Sequence, residues 1–318
     1  MDIKAFKMDG LGNDFVIIDQ RNKIIEFSKK EIVKICDRNF IGCDQLIIIK
    51  KSPFDLRDED ELDPGEIADI GAKLMGEDKI KSVSIGKMRD YLNNIDADLK
   101  FYNSDGSSSD ACGNGTRCVA YLLSKETNKN KITFWINGNI IPSKILGEKL
   151  VETKISNVTT NWHEIPLIKE LDTNNLNYKI IDKNNKEHFG GTAVNVGNPH
   201  IVFFVNNIED FNLEKIGPEI ENDKLFPEKC NVTLAKIINE NHIKVKVWER
   251  GAGLTKACGT AACATAVAAN INGYIKEKID IEFELGKLSI FLDKKNNIHM
   301  KGPVSEIKEI DIKFNGNI

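Results

Sequence analysis

Two of the seven cysteines in this 318-residue chain sit in the same context. FYNSDGSSSDACGNG, from Phe101, aligns without a gap to VWERGAGLTKACGTA, from Val247. Cys112 thereby matches Cys258 and Gly113 matches Gly259, while Asn103 and Glu249 each stand nine residues before their cysteine. Both thiols immediately precede a segment predicted to be helical. A thiol at a helix N-terminus feels the positive end of the helix and its free backbone N–H groups, which lower its pKa. The same N–H groups can hold a substrate carboxylate, and the small residues of Gly113, Asn114, Gly259 and Thr260 would allow close approach. One thiolate and one thiol on opposite faces of a bound carbon make a two-base catalyst: one removes a proton, the other delivers one, and the centre inverts. A proton α to an amino-acid carboxylate is very weakly acidic, so fixed donors must stabilise the developing charge. No lysine stands in a clear pyridoxal-phosphate setting, and a cofactor-free route is preferred.

Other thiol chemistries fit less well. A redox pair is conceivable because each cysteine precedes a helix, but there is no C-x-x-C. A zinc site would need a spaced Cys/His cluster, which five scattered histidines do not provide. A cysteine hydrolase could pair a thiol with His200, leaving the second cysteine motif unused. Cys36, Cys43, Cys118 and Cys263 read as packing residues, Cys43 being the least settled because Asp44 and Gln45 follow it. The odd cysteine total, without an apolar core in MDIKAFKMDG, reads as free thiols in a reducing compartment.

The elements that must position these groups form an α+β pattern. Phe15 to Ile18 and residues 43–50 read as strands, and 26–38 as a helix with Ser28 as N-cap. KITFWING, KILGEKLVETKI, NVGNPHIVFFV, NHIKVKVWERGAG and LSIFLDK also read as strands, with NNKE at 184–187 and KKNN at 294–297 as turns. A helix is expected from Gly113 or Asn114, and an Ala-rich one over Gly259–Asn270. The strand–helix alternation of a dinucleotide fold is missing. The repeat extends upstream: GNDFVI matches GNPHIV, so Asn13 matches Asn198, and Gln45 and Asn231 follow them by 32 and 33 residues. The spacing from Asn13 to Cys112 exceeds that from Asn198 to Cys258 by 39, close to the length of an acidic segment at 52–92. That segment reads as an insertion, with one short helix near 65–75, into the first of two duplicated domains. Their expected bounds are 1–150, joined by a C-terminal strand at 301–318, and 151–300. Facing across a pseudo-twofold axis, the halves would bring Cys112 and Cys258 to one cleft.

Composition narrows the classes further. A formal net charge of −4 argues against nucleic-acid binding through a basic face. No apolar run reaches the roughly 18–20 residues of a membrane span.

At its motifs the sequence resembles the diaminopimelate epimerase family: MDGLGNDF at 8–15, NSDGSSSDACGNGTRC at 103–118, GNPH at 197–200 and ERGAGLTKACGTAAC at 249–263. The likeness covers nearly the whole chain apart from 52–92. It implies two similar domains, each a β-barrel-like sheet around a central helix, with the active site in the interdomain cleft. It implies interconversion of LL- and meso-diaminopimelate without metal or pyridoxal phosphate, for lysine and peptidoglycan precursors, in a cytoplasmic homodimer. Carried over by motif, Cys112 and Cys258 are the acid/base pair. Gly113, Asn114, Gly259 and Thr260 grip the reacting carboxylate. Asn13, Asn103, Asn198, Asn231, Glu249 and Arg250 recognise substrate, with Gln45 on the same wall and His200 in support. The distal carboxylate suits Arg250, and the distal ammonium suits Glu249 and the Asn oxygens. The chain departs from the family pattern at Leu254, where a glutamate is familiar, at Ala261, where a glycine is expected, and before IGCDQ, where one position seems missing. A proline or hydroxyproline racemase of the same fold would also use two cysteines but give Glu249 and Arg250 less to do. A phenazine-type isomerase would not need both cysteines, and a binding protein would exchange no α-proton.

Overall fold

The computed structural model describes residues 2–54, 65, 67, 70, 84–109, 112–155, 158–275, 277–293 and 297–313. It is an α+β fold in which, among the described residues, seventeen strands join into one mixed sheet. Asp2–Gly10 pairs antiparallel with Asn13–Asp19, which lies parallel to Gln45–Lys50. That strand pairs antiparallel with Ala97–Asn103, which carries Ser108–Ser109 antiparallel on one stretch and Lys131–Ile136 parallel on another. Antiparallel turns then lead through Asn139–Gly147 to Leu150–Ile155.

The same order of pairings recurs from Thr192. Thr192–Asn195, Pro199–Phe204, Asn231–Asn239 and His242–Glu249 run antiparallel, parallel, antiparallel in turn. Gly253–Thr255 and Lys278–Phe283 flank His242–Glu249, and Gly286–Leu292 and Ile298–Pro303 complete the series. Register recurs as well. Phe15 lies opposite Gln45 as His200 lies opposite Asn231, and Leu46 opposite Tyr102 as Val232 opposite Trp248. Each parallel pair needs a crossover. A helix supplies it every time: Lys29–Cys36 and Leu213–Glu221 for the first parallel pair of each stretch, Gly113–Thr127 and Gly259–Ile271 for the second. The connection over 51–96 corresponds to a two-residue turn at 240–241. Two further pairings tie the ends together: Ile298–Pro303 with Leu150–Ile155, and Lys308–Lys313 with Asp2–Gly10.

The helix expected at 26–38 is shorter, Lys29–Cys36. It begins where Ser28 and Glu31 form a reciprocal capping box. Residues 26 and 27 precede that cap and so fall outside the helix. The helix expected near 65–75 lies mostly outside the described residues, as does KKNN at 294–297. A helix at Ile85–Asn93, capped by Ser84, stands within the acidic segment. NNKE does turn the chain, between Tyr178–Ile181 and Glu187–Gly190.

Two helices lie against the sheet, Gly113–Thr127 and Gly259–Ile271. Cys118 to Leu123 pack among Phe15, Ile47, Phe101 and Phe134. Ala261 to Ala269 pack among Val202, Ala235, Val247 and Ile281. Both helices are buried on nearly every side, which removes the polar face that a surface helix shows. The alanines keep the second helix both helix-prone and thin enough to be surrounded. Asn128, at φ 55°, ends the first helix in the left-handed region.

Candidate active site

Each paired cysteine is the residue at which its helix begins. Cys112 has φ −136° and ψ 112°; Cys258 has φ −138° and ψ 117°. This extended backbone stops the helix from continuing backward and leaves its first N–H groups free around the sulfur. The N–H groups of Gly115 and Asn114 act on Cys112, and that of Ala261 on Cys258, each favouring the thiolate. The two helix starts converge. A Cβ at Gly113 would stand 2.1 Å from the Met300 methyl, one at Gly259 would stand 3.3 Å from it, and the latter would lie 3.4 Å from Asn114 Oδ1. Glycine at these positions is what lets the two N-termini share one space.

Burial opposes ionisation. Cys112 is pushed up to about 11 by desolvation, with the Glu249 carboxylate adding to the rise and Arg117 working against it. Cys258 is raised well above its ordinary value by burial and by Glu249 pressed against it, and the Thr260 hydroxyl, 3.3 Å from Sγ, partly offsets this. Glu249 is itself raised by burial despite accepting the Thr255 hydroxyl at 2.5 Å. It acts electrically on both thiols and so lies close to the cysteine pair.

On the first half the Cys112 thiol donates to Asn13 Oδ1 at 3.5 Å. Asn13 Nδ2 donates to Asp44 Oδ2 at 3.0 Å, and Asp44 is held by Arg38 at 2.6 Å. A carboxylate only accepts, so Asp44 turns the Asn13 amide with its oxygen toward the thiol. Gln45 Nε2 donates to Asn103 Oδ1 at 2.9 Å, while its own Oε1 is buried without a partner. Asn103 Nδ2 goes to Ser107 Oγ at 3.1 Å.

On the second half Asn231 is occupied by the chain. Its Nδ2 donates to Pro199 O and its Oδ1 accepts from Arg250 N, both at 2.9 Å. It therefore shapes the loop that presents Arg250 instead of offering a free amide. Glu221 supports the same loop, accepting from Gly251 N at 3.0 Å and from Trp248 Nε1 at 2.7 Å. Arg250 is exposed, with Nη1 on Glu228 O at 2.9 Å. His200 is enclosed and bonded through Nε2 to Asn198 Oδ1 at 2.8 Å. Burial, with Arg250 nearby, depresses its pKa to about 3, so it is neutral at pH 7. It braces Asn198 and Asn231 and bonds to neither cysteine.

Asp44, Arg117, Thr255 and Glu221 are absent from the candidate residues read from sequence. IGCDQ marked the neighbourhood of Asp44, and GNGTRC contained Arg117, whose spacing of three from Asn114 and four from Gly113 was the available signal. Of the departures, Leu254 is 40% exposed opposite Trp248, where a lost charge is not buried. Ala261 lies inside its helix. Cys36 and Cys43 are buried with their sulfurs 3.5 Å apart. An open groove of about 770 Å³ lies beside this region, bordered by Lys7, Asp14 and Arg38, and neither paired cysteine lines it.

Comparison with known proteins places this geometry. The diaminopimelate epimerase family pattern matches residues 192–307. The chain is 59% identical over 314 residues to the diaminopimelate epimerase of Pelagibacter ubique (strain HTCC1062), covering 99% of this chain and all of that one. It is 34% identical to that of Acidiphilium cryptum (strain JF-5), covering 95% and 94%. In fold it is similar to a hydroxyproline epimerase from Agrobacterium vitis, with TM-score 0.61, 9% identity and coverage of 98% and 92%. It is also similar to a phenazine biosynthesis protein of Bacillus anthracis, with TM-score 0.58, 13% identity and coverage of 99% and 100%. The latter two likenesses speak for the fold alone, whereas the first two extend over the whole sequence, and on them the chain belongs to the diaminopimelate epimerase family.

Proposed function

We propose that this protein interconverts LL- and meso-2,6-diaminopimelate by moving a proton at the α-carbon between Cys112 and Cys258, supplying lysine and peptidoglycan precursors. The observation that carries the proposal is the convergence of two cysteine-capped helix N-termini on the shared space at Gly113, Gly259 and Met300. One thiolate takes the proton from one face while the other thiol reprotonates the opposite face. The free N–H groups of both helices hold the α-carboxylate, whose negative charge grows as the proton leaves. In the ligand-free site burial keeps both thiols protonated, and the field of Glu249 adds to it. A substrate ammonium beside Glu249 cancels that field, so the thiolate forms when the amino acid is in place. Arg250 takes the distal carboxylate, and Asn13, Asn103 and Asn198, with Gln45 behind Asn103, shape the wall between.

The finer architecture belongs to the same proposal. We read residues 1–150 with 301–318, and 151–300, as two pseudo-symmetric domains, each a barrel-like sheet around its central helix, with the site in the cleft. The recurring pairing order and register support this reading. Leu150–Ile155, paired on one side with Asn139–Gly147 and on the other with Ile298–Pro303, is where they would join. A homodimer in the cytoplasm follows from the family likeness. Among the described residues no helix is long and apolar enough to cross a membrane.

The test is exchange. Reduced protein with LL-diaminopimelate in deuterated water should place deuterium at the α-carbon and form the meso isomer. No exchange with free thiols would sink the epimerase reading, and exchange on proline alone would move the assignment to a racemase.

A further inference from the structure

Arg117 is 0% exposed and is the largest of the fully buried side chains. Its guanidinium donates to Gly113 O at 3.3 Å and to Asn114 Oδ1 at 2.6 Å, and its Nε has no partner. Among the described residues, the ionisable groups that act on it are the thiols of Cys118, Cys112 and Cys263, and no carboxylate is among them. An ion buried without a counter-ion is strongly unfavourable, and a fold retains one only where something offsets the cost.

The surroundings are shaped to hold it. A Cβ at Gly302 would stand 3.1 Å from both Cζ and Nη2, and one at Gly10 would stand 3.6 Å from Nη2. The strand Ile298–Pro303 thus has glycine where the guanidinium lies, while Asp2–Gly10 passes it at ordinary contact distance and has glycine against Asn114, whose Cβ would be 3.2 Å from a Cβ at Gly10. The side chain it grips is equally specific. Asn114 is 1% exposed, and its Nδ2 is buried without a partner. Arginine carries only donors, so the Asn114 amide can meet it only through oxygen. That fixes the remaining direction of the amide: its NH₂ faces away from the guanidinium. The Asn114 oxygen lies 3.4 Å from where a Gly259 Cβ would stand, so this amide sits between the two helix N-termini.

We propose that Arg117 is a positioning residue for the epimerisation. It locks the Asn114 amide so that Nδ2 donates to the α-carboxylate, and it holds a fixed positive charge behind that carboxylate. The missing anion is the substrate's own. The free protein carries the unpaired cation and the unpaired NH₂ together because both are answered when an α-amino acid binds. They are answered more strongly as charge moves onto the carboxylate during proton removal, so the interaction grows toward the transition state. The inference rests on the proposed function and deepens it at one end of the site. It also explains why a cation inside a helix can be enclosed within a core otherwise built from Phe, Ile and Ala.

The experiment measures kcat and KM for meso-isomer formation in the full chain, with near-UV circular dichroism as the check on folding. The wild type is assayed first. If it exchanges no α-proton of LL-diaminopimelate, the functional reading fails, and the role of Arg117 falls with it. With an active wild type, Arg117→Met should lower kcat at least about 100-fold while KM changes less than about 5-fold. Arg117→Lys, which keeps the charge but loses the two-pronged grip, should recover at least about tenfold of that loss. A merely structural role would reduce the folded fraction, leave kcat per folded molecule unchanged, and give lysine no advantage over methionine. That pattern, or a folded Met variant with kcat within about 3-fold of wild type, overturns the proposal. If the Met variant does not fold, the Lys variant decides. A folded Lys variant about tenfold down in kcat at near-normal KM supports the assignment, and wild-type kcat in it overturns the assignment.

Discussion

Cys112 and Cys258 cap their helices with backbone angles that agree within 5°, yet the residues around them carry opposite charge. Nine positions before the cysteine the first half has the neutral Asn103 and the second has Glu249. Five positions after it, the first half has the buried cation Arg117 and the second has Cys263. In the residue following Asn103 or Glu249, the first half has Ser104 and the second has Arg250. The first cysteine therefore lies near a cation and shares its proton with a neutral amide, Asn13. The second lies deeper, against a carboxylate. Duplication provides two equivalent scaffolds, and substitutions at matched positions make one thiol the readier base and the other the readier acid. In the ligand-free molecule Cys112 is the more easily ionised: the N–H groups of Gly115 and Asn114, with Arg117 behind them, oppose burial there, whereas Cys258 has Glu249 both near and in contact with it. Separating the ionisation of two like groups is how one site holds an acid and a base at the same pH.

The largest expected effect tests whether the two scaffolds remain chemically equivalent partners. Cys112→Ala and Cys258→Ala should each reduce epimerisation by at least about 10³-fold, since each removes one proton-transfer group. Chiral separation of products with time gives the rate. Near-normal turnover in either variant would break the two-base comparison, leaving one half as scaffold only.

Next comes the charge that most distinguishes the halves. Glu249→Gln makes position 249 a neutral amide, as at Asn103. Glu249 raises the pKa of both thiols, so its removal lets the thiolate form at lower pH. The acidic limb of kcat/KM, which reports the free protein, should move to lower pH, while kcat/KM at its plateau falls about 10- to 100-fold through loss of the ammonium partner. A limb that stays in place would mean that Glu249 does not govern the thiols.

The halves were unequally legible in the sequence, and the reasons are physical. The cysteine helices announced themselves because small residues and glycines at their starts are needed for close approach. The strands around them followed from alternation and from the repeat. The crossover helix Leu213–Glu221 did not, because Gly217 and Pro218 sit inside it and both read as breakers. The structure accounts for the glycine: a Cβ there would come 2.5 Å from the Trp248 ring. Its counterpart in the first half, with a Ser-x-x-Glu start, was legible. Individual site residues were found by motif, but their orientations were not. That Asp44 turns Asn13 and Arg117 turns Asn114 depends on which end of an amide meets a donor or an acceptor, and spacing carries no such information. Arg117 is not legible as a site residue because a charged residue on a helix reads as its solvent side, whereas this helix has almost none.

Smaller effects sharpen the comparison. Arg250→Met should raise KM for diaminopimelate about 10- to 150-fold, matching the roughly 1.5–3 kcal/mol of a hydrogen bond to a charged group, with a lesser change in kcat. It removes the cation that only the second half carries at this position. An unchanged KM would place the distal carboxylate elsewhere.

The smallest expected effect comes from Thr260→Val, because Thr260 is the polar support particular to Cys258. Its hydroxyl lies 3.3 Å from that sulfur and favours the thiolate against burial and Glu249. No comparable contact ties it to Cys112, whose own support is Asn13. Valine keeps the volume and removes the hydroxyl, a loss of about 1 kcal/mol, so turnover should fall about 3- to 10-fold. The sign is fixed: without the hydroxyl the Cys258 thiol is harder to ionise, so α-proton removal should become more rate-limiting in the direction in which Cys258 acts as base. Equilibrium between the isomers is unaffected by an enzyme variant, so the asymmetry must be read from primary isotope effects on the two initial rates. An α-deuterium effect that rises in one direction only would show that the two halves, alike in backbone, divide the proton transfer unequally, whereas an equal rise in both would mean that Thr260 acts on the carboxylate common to both directions.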